Sequence, residues 1–248
     1  MSTSSRQTRR LPHVRWPYVR WTVIALFIGA MVLNYLARSV LGVAAPTILD
    51  EQGISSQQYS WVTSAFQIGV MFQPVVGYFL DGAGLRMGFT LCVAVWSLVT
   101  MAHVMAQGWL SFAGLRLALG VAEGSAQPAG QKLIATWFPA KERGVAGGLY
   151  NIGASFGAVL APPLVAWAVL TQSWRLAFVI TGVLGLLWCL AWLFWYRRPA
   201  QHRYLSPDEL SHIEMGQEAQ LAAKAEKPRV AKLLRQRSLW GIALPRML

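Results

Sequence analysis

One acidic and one basic residue lie within the same long apolar segment of this sequence. Glu123 is the sole acidic residue in any of the long apolar segments, and Arg116 precedes it by seven positions. Seven residues make about two turns of an α-helix, so both side chains project from one face. Charged groups are costly in hydrocarbon and mark ion or substrate pathways when they occur there. The spacing therefore predicts a functional ion pair; the alternative is a permanent pair that only ties helices together.

Six segments are long and apolar enough to cross a bilayer, which takes about 20 residues each. They cover 21–48, 59–80, 87–105, 109–130, 145–169 and 176–195, after a basic tail over 1–20. The composition agrees, because 55% of the 248 residues are hydrophobic and only 13% are charged. Such a composition differs from that of a soluble domain. The predicted fold class is an all-α membrane protein built as a six-helix bundle.

The formal net charge of +12 would also suit a nucleic-acid-binding protein, so its distribution decides between the two classes. The basic residues concentrate in the tail, in the loops after the second and fourth segments, and in a polar linker over 197–237. This one-sided placement follows the positive-inside rule of membrane proteins. We therefore expect a multi-pass protein of the inner membrane with both termini in the cytoplasm and no nucleic acid partner.

The linker and the residues after it suggest a longer design. The linker is mixed in charge and contains a short predicted helix that Ser206 would cap. An apolar pattern resumes over 238–248, a stretch too short to span a bilayer. We interpret this stretch as the start of a truncated seventh helix.

Several motifs resemble those of a known transporter family. The letters GYFLDGAGLR over 77–86 resemble the G-x-L-x-D-R-x-G-x-R loop of the major facilitator superfamily, with Gly82 in place of the usual Arg. The letters WFPAKERG over 137–144 are similar to a loop of its anion:cation symporter family. Further matches are NYLAR over 34–38, GLR over 114–116 and APPLVAW over 161–167. Together they resemble the N-terminal half of the hexuronate and galactonate permeases.

This resemblance implies a fold of twelve helices in two halves, with the substrate bound between the halves near the membrane midplane. The chain would be the first, six-helix half of a secondary active transporter rather than an enzyme. No metal and no cofactor are expected, and the coupling ion would be a proton. The alternative is an inactive fragment, or an interaction subunit whose partner, a second half-transporter chain, supplies the other six helices.

The resemblance further implies organic anions as substrates, notably sugar acids such as hexuronates. An Arg guanidinium matches a carboxylate with two parallel hydrogen bonds. The expected substrate-binding residues are Tyr35, Arg38, Arg116, Gln127 and Asn151. Arg38 could instead extend to the membrane interface.

Glu123 is the expected proton carrier, because its protonation would release Arg116 to bind the anion. Galactonate-type relatives have an acid immediately before the Arg of the first helix, where this sequence has Ala37. One of two family proton sites would then be absent. The stoichiometry would be lower, or the protein would act as a uniporter or exchanger.

The resemblance also implies a gate of three charged residues at the cytoplasmic end of the bundle. They are Asp81, Arg86 and Arg143, with Asp81 meeting Arg143. The alternative is a set of solvated surface charges, which contribute little to stability. His103, near the end of the third segment, is interpreted as an interfacial residue rather than a proton relay.

Overall fold

The computed structural model describes residues 18–215, and over that range it contains helices and no strand. The helices are α1 (Val19–Gln52), α2 (Ser56–Met71), α3 (Gln73–Ala83), α4 (Leu85–Ala102), α5 (Gly108–Glu123), α6 (Ala126–Trp137), α7 (Arg143–Thr171), α8 (Trp174–Trp195) and α9 (Pro207–Met215). Short 3-10 turns cover His103–Met105, Ala140–Glu142 and Pro199–Gln201. The predicted start of a seventh helix over 238–248 lies outside the described residues, as do residues 1–17 of the tail.

The bundle combines long helices with two pairs of shorter ones. Four helical stretches among the described residues are long and apolar enough to cross a membrane, namely Val19–Gln52, Leu85–Met105, Ala140–Thr171 and Trp174–Trp195. The predicted spans 59–80 and 109–130 are each divided into two consecutive helices, α2 with α3 and α5 with α6. These two pairs complete a six-helix bundle.

A proline lies just after the break in each divided span. Pro74 follows Val70 by four residues, and Pro128 follows Gly124 by four. A proline cannot donate a hydrogen bond to the carbonyl four residues earlier, and its ring clashes with that carbonyl. A Cβ added to Gly124 would lie 3.5 Å from the Cα of Gln73, so the two breaks are side by side. Broken membrane helices leave polar backbone groups that line sites.

The helices pack mainly in three pairs, α1 with α7, α2 with α5, and α4 with α8. Glycines permit the closest approaches. Gly69 and Gly120 pack backbone against backbone, because a Cβ on Gly120 would meet the carbonyl oxygen of Phe66. Gly157 of α7 lies in the same way against Val32 of α1. Small residues at such contacts are the usual basis of helix association in membranes.

The largest buried aromatic cluster lies between α1, α4 and α8. The Phe89 ring contacts Phe27 at a centroid distance of 5.3 Å, Trp188 at 5.7 Å and Trp192 at 5.8 Å. The two contacts with tryptophan are edge-to-face, a geometry that stabilises a fold beyond the area it buries. The cluster therefore packs α1, α4 and α8 against one another.

The basic end of the bundle contains the N-termini of α1, α4 and α7 and the C-termini of α3, α6 and α8. There, the Glu209 carboxylate of α9 accepts hydrogen bonds from the backbone N–H groups of Val19 at 3.1 Å and Arg20 at 3.3 Å. Arg20 Nε lies 3.1 Å from Glu142 Oε2. A carboxylate at a helix N-terminus stabilises the helix dipole. The helix α9 is thereby anchored on the start of α1.

Candidate functional site

An ion pair joins α1 to α5 within the bundle. Arg38 Nε lies 3.3 Å from Glu123 Oε2. The Glu123 side chain is fully buried, whereas 37% of the Arg38 side chain is exposed. The sequence predicted Arg116 as the partner of Glu123, and the structure pairs Glu123 with Arg38 instead. Two helical turns place Arg116 about 10 Å from Glu123 along the helix axis, while Arg38 reaches the carboxylate from the neighbouring helix.

Arg116 lies beside this pair and is itself only 3% exposed. Its Nη1 donates a hydrogen bond to the carbonyl oxygen of Arg38 at 3.3 Å. The guanidinium carbons of Arg38 and Arg116 lie 5.0 Å and 5.8 Å from the ring centroid of Phe66. An aromatic face stabilises nearby cations. Two cations thus accompany one carboxylate, a combination whose net positive charge favours an anion.

A cavity of about 100 Å³ opens beside the ion pair, between α1, the α5–α6 break and α7. The predicted site residues that line it are Tyr35, Arg38, Glu123, Gln127 and Asn151. Arg116 is not among the lining residues. Ligand pockets usually measure about 300 Å³ or more, so this cavity holds only part of a sugar-sized ligand.

Two of the lining side chains have defined neighbours. The guanidinium carbon of Arg38 lies 5.1 Å from the ring centroid of Tyr35, on the same helix. Asn151 Nδ2 donates a hydrogen bond to the carbonyl oxygen of Gly147 at 2.8 Å. One N–H of the Asn151 amide is thus used, and its second N–H and its carbonyl oxygen could bind a ligand.

Sequence reasoning missed three polar residues that also line the cavity, Asn34, Gln73 and Tyr150. Asn34 is 1% exposed, and its Nδ2 has no hydrogen-bond partner among the described residues. It lies four residues before Arg38, the spacing that places two side chains on one helix face. That spacing was the available signal for Asn34. The sequence contains no comparable signal for Gln73. This residue begins α3, so its place at the cavity depends on the break between α2 and α3, which the sequence analysis did not predict.

Other buried polar atoms near the pair also lack partners among residues 18–215. They include Oε1 of Glu123 and both Nε and Nη2 of Arg116. His103, interpreted as interfacial, is fully buried, stacks on Phe178 at 5.0 Å and has an unpartnered Nε2. No three His, Cys, Asp or Glu side chains in this part of the chain are grouped to hold a metal ion. Buried polar atoms normally have partners, so these atoms could bind a ligand or water.

The three predicted gate residues do not contact one another. Lys132 Nζ lies 2.9 Å from Asp81 Oδ1, taking the place predicted for Arg143. Arg143 Nε instead donates to the carbonyl oxygen of Phe138 at 3.1 Å, just after the end of α6. Carbonyls at a helix C-terminus lack partners within the helix and attract cations. Arg86 Nη2 donates to the carbonyl oxygen of Leu193 at 2.8 Å.

Comparison with known proteins gives relatives that are named as transporters of sugar acids. The hexuronate transporter of Escherichia coli (strain K12) is 44% identical over 97% of this chain, which covers 55% of that protein. The galacturonate transporter of Dickeya chrysanthemi is 44% identical over 96% of this chain, which covers 68% of that protein. The D-galactonate transporter of Escherichia coli O6:H1 is 33% identical over 90% of this chain. The chain thus spans about half to two thirds of the length of these relatives.

The fold has a solved counterpart, the crystal structure of a bacterial homologue of the human lysosomal transporter Spinster in an inward-facing and occupied conformation. The TM-score is 0.65 at 23% identity, over 74% of this chain and 46% of that one. This likeness concerns the fold alone. The family model of the Major Facilitator Superfamily matches residues 27–247. The chain is therefore a membrane protein that belongs to the Major Facilitator Superfamily.

Proposed function

We propose that this protein takes part in the proton-coupled transport of organic anions, with sugar acids such as hexuronates as the substrate class. The observation that carries the proposal is the pair of the half-exposed Arg38 with the buried Glu123, with Arg116 beside it, at the wall of a polar cavity. The names of two relatives at 44% identity, a hexuronate and a galacturonate transporter, support the substrate class. The chain covers 55% of the first relative, so transport by the whole protein is part of the proposal.

The anion would bind through the two guanidinium groups. Arg38 is the accessible one, since 37% of its side chain is exposed and it lines the cavity. Its planar donor fork suits a substrate carboxylate. Arg116 adds positive charge from behind, while Tyr35 and Asn151 would hydrogen-bond to hydroxyl groups of the sugar.

Glu123 would couple the proton to the anion. While it is ionised, Glu123 holds Arg38 at 3.3 Å. Protonation removes the charge that holds Arg38, and this frees the guanidinium for the substrate carboxylate. The released group is therefore Arg38, rather than the Arg116 that the sequence suggested. Since Ala37 replaces the second acid of galactonate-type relatives, we propose that Glu123 alone carries the coupling.

We further propose that the basic end faces the cytoplasm of an inner membrane, as the positive-inside rule favours. Asp81, Arg86 and Arg143 would form part of a cytoplasmic gate through their contacts with α6 and α8. Opening this gate would require separation of Asp81 from Lys132, which now lie 2.9 Å apart.

A cavity of about 100 Å³ is a partial site for a hexuronate. This observation favours a second candidate, a chain that acts only with a partner supplying a further six helices. In that case the residues of this chain provide one wall of the transport site.

The test is uptake of labelled glucuronate by inverted and right-side-out membrane vesicles that contain this chain, with an imposed proton gradient. A parallel set co-expresses the C-terminal six helices of a hexuronate transporter. We expect Glu123→Gln to abolish gradient-driven accumulation while retaining exchange of labelled for unlabelled substrate. Arg38→Gln should abolish both activities.

Glu214→Gln is the matched control, because Glu214 is exposed on α9 and undergoes the same change from acid to amide. It should accumulate substrate like the unmodified chain. Accumulation by Glu123→Gln at the unmodified level would refute proton coupling at this residue. Absence of uptake in both sets of vesicles, with the chain inserted, would refute the transport proposal.

A further inference from the structure

A second, larger cavity opens at the basic end of the bundle, away from the proposed substrate site. Its volume is about 630 Å³, and it lies between the α3–α4 turn, α6 and the segment that follows α8. The charged residues that line it are Asp81, Arg86, Lys132 and Arg198. Three cations therefore face one carboxylate.

The positive charge of this cavity is only partly neutralised. Lys132 pairs with Asp81 at 2.9 Å, which uses the one carboxylate. Among residues 18–215, no carboxylate, Asp81 included, forms an ion pair with Arg86 or Arg198. The Nε atom of Arg86 is buried and has no hydrogen-bond partner in the described part of the chain. Because Nη2 of Arg86 already donates to the Leu193 carbonyl oxygen and Nε is buried, the groups open to an anion are Nη1 of Arg86 and the exposed guanidinium of Arg198.

An apolar groove of about 240 Å³ runs along the same two helices, α3 and α4, where they meet α5. Its lining residues are Val75, Val76, Phe79, Leu91, Cys92, Val95, Ala118, Val121 and Ala122. The outer ones are well exposed, with 65% of Val75 and 54% of Leu91 accessible. The groove contains no charged residue.

The groove begins where the basic cavity ends. On α3, Phe79 of the groove and Ala83 of the cavity are four residues apart, as are Leu91 of the groove and Met87 of the cavity on α4, and this spacing places each pair on one helix face. From Met87 of the cavity to Val95 of the groove is eight residues, or about 12 Å along one face of α4. One leaflet contributes about 15 Å to the hydrocarbon core of a bilayer. The surface thus has the length of one acyl chain, with positive charge at one end.

We propose that this surface binds an anionic phospholipid, with the phosphate between Arg86 and Arg198 and one acyl chain in the groove between α3, α4 and α5. Basic pockets between membrane helices bind anionic headgroups through the same chemistry. A soluble anion would use the cavity and leave the groove exposed. The proposal concerns a different face from the substrate site and does not depend on the transport function.

The test is native mass spectrometry of the full chain in detergent, titrated with dioleoyl phosphatidylglycerol or with dioleoyl phosphatidylcholine. The two lipids share their acyl chains and phosphate, but only the first has a net negative charge. We expect the anionic lipid to bind at least ten-fold more tightly. Glycerol phosphate, which has the headgroup charge without chains, should not displace it at equal concentration.

Variants separate this site from general attraction to a basic protein. Arg86→Gln with Arg198→Gln should weaken phosphatidylglycerol binding roughly five-fold for each guanidinium removed. Lys141→Gln with Arg203→Gln removes the same charge from two exposed residues at the same end and should change affinity less than two-fold. Arg198→Gln alone preserves the hydrogen bond of Arg86 to α8, so it tests lipid binding without disturbing that contact. It should weaken phosphatidylglycerol binding about five-fold.

The acyl chain has its own variant, Ala118→Trp, which fills the exposed groove. It should weaken binding of both lipids. Equal losses in the Arg86/Arg198 and Lys141/Arg203 variants, equal affinity for the two lipids, or an unchanged affinity in Ala118→Trp would each overturn the proposal. Displacement by glycerol phosphate would identify a free-anion site and overturn it as well.

Discussion

At the scale of single residues, the exposure of Arg38 determines what the ion pair can do. In a permanent structural pair we expect both side chains to be buried, because water weakens the attraction between charges. Here Glu123 is fully buried, but Arg38 is 37% exposed and borders a cavity. An incoming carboxylate can therefore reach the cation without first displacing the helix that carries the acid. This asymmetry favours an exchangeable pair over a fixed one.

Asn34 provides a test that separates ligand binding from stability. Its Nδ2 is buried and unpartnered among the described residues, so Asn34→Leu removes no hydrogen bond within them. We expect the melting temperature in detergent to stay the same or rise, because an unsatisfied buried amide is destabilising. Substrate uptake should fall about ten-fold if Asn34 donates to the substrate, which corresponds to roughly 1.4 kcal/mol.

The comparison variant for Asn34→Leu is Asn151→Leu, which removes a hydrogen bond to Gly147 that the structure contains. It should lower both uptake and the melting temperature. A clear loss of thermal stability in Asn34→Leu would instead assign Asn34 a structural role.

Much of the candidate site follows from residue types along the sequence, but its pairing does not. Tyr35, Arg38, Glu123, Gln127 and Asn151 were all predicted, and they line one cavity. Helical spacing places Arg116 and Glu123 on one face, yet it cannot show that a residue from α1 will come closer. That outcome depends on how α1 packs across α5, which is a property of the tertiary structure. Whether these residues bind substrate stays a prediction.

At the scale of elements, the two broken spans bring polar groups to the middle of the bundle. The breaks at Phe72 and Gly124 are adjacent, and Gln73, Gly124 and Gln127 border the cavity near them. Hydropathy detected the spans but not their division, because a window of about 19 residues averages over a break of one or two residues. Pro74 and Pro128 follow the two breaks, but Pro46, Pro162 and Pro163 lie inside the continuous helices α1 and α7. Proline alone could therefore not have predicted which spans divide, although it weakens a helix interior.

The contact between α2 and α5 predicts opposite effects for two glycines of one helix. A Cβ on Gly120 would meet the carbonyl oxygen of Phe66, while a Cβ on Gly114 would meet no atom within 4 Å. Gly120→Ala should lower the free energy of unfolding by about 2 kcal/mol, because the helices must separate. Gly114→Ala should raise it by about 0.5 kcal/mol, since alanine favours the helix.

Thermal unfolding of both glycine variants in the same detergent provides the measurement. Equal behaviour of the two would show that the α2–α5 contact is less close than the structure indicates. The amount of each variant inserted into the membrane should be measured as well, so that a loss of protein is not mistaken for a loss of thermal stability.

At the scale of the whole molecule, charge distribution is the property most directly readable from the sequence. The tail, the α3–α4 turn, the start of α7 and the segment after α8 all carry basic residues, and the folded bundle gathers the described ones at one end. Composition was sufficient to predict a helical membrane protein. The positions of the cations within that end required the structure, since Arg143 and Arg86 bind helix carbonyls rather than Asp81.

The orientation of the bundle in the membrane is a whole-molecule prediction that two single cysteines can test. Gln107 is exposed in the turn between α4 and α5, at the end opposite the basic residues, and Arg203 is exposed at the basic end. The native Cys92 and Cys189 are buried and would be replaced by alanine. In intact spheroplasts, a membrane-impermeant maleimide should label Gln107→Cys, whereas Arg203→Cys should react only after permeabilisation. The physical reason is that Lys and Arg are retained on the cytoplasmic side. Labelling of Arg203→Cys in intact spheroplasts would show that the orientation is opposite to the one proposed.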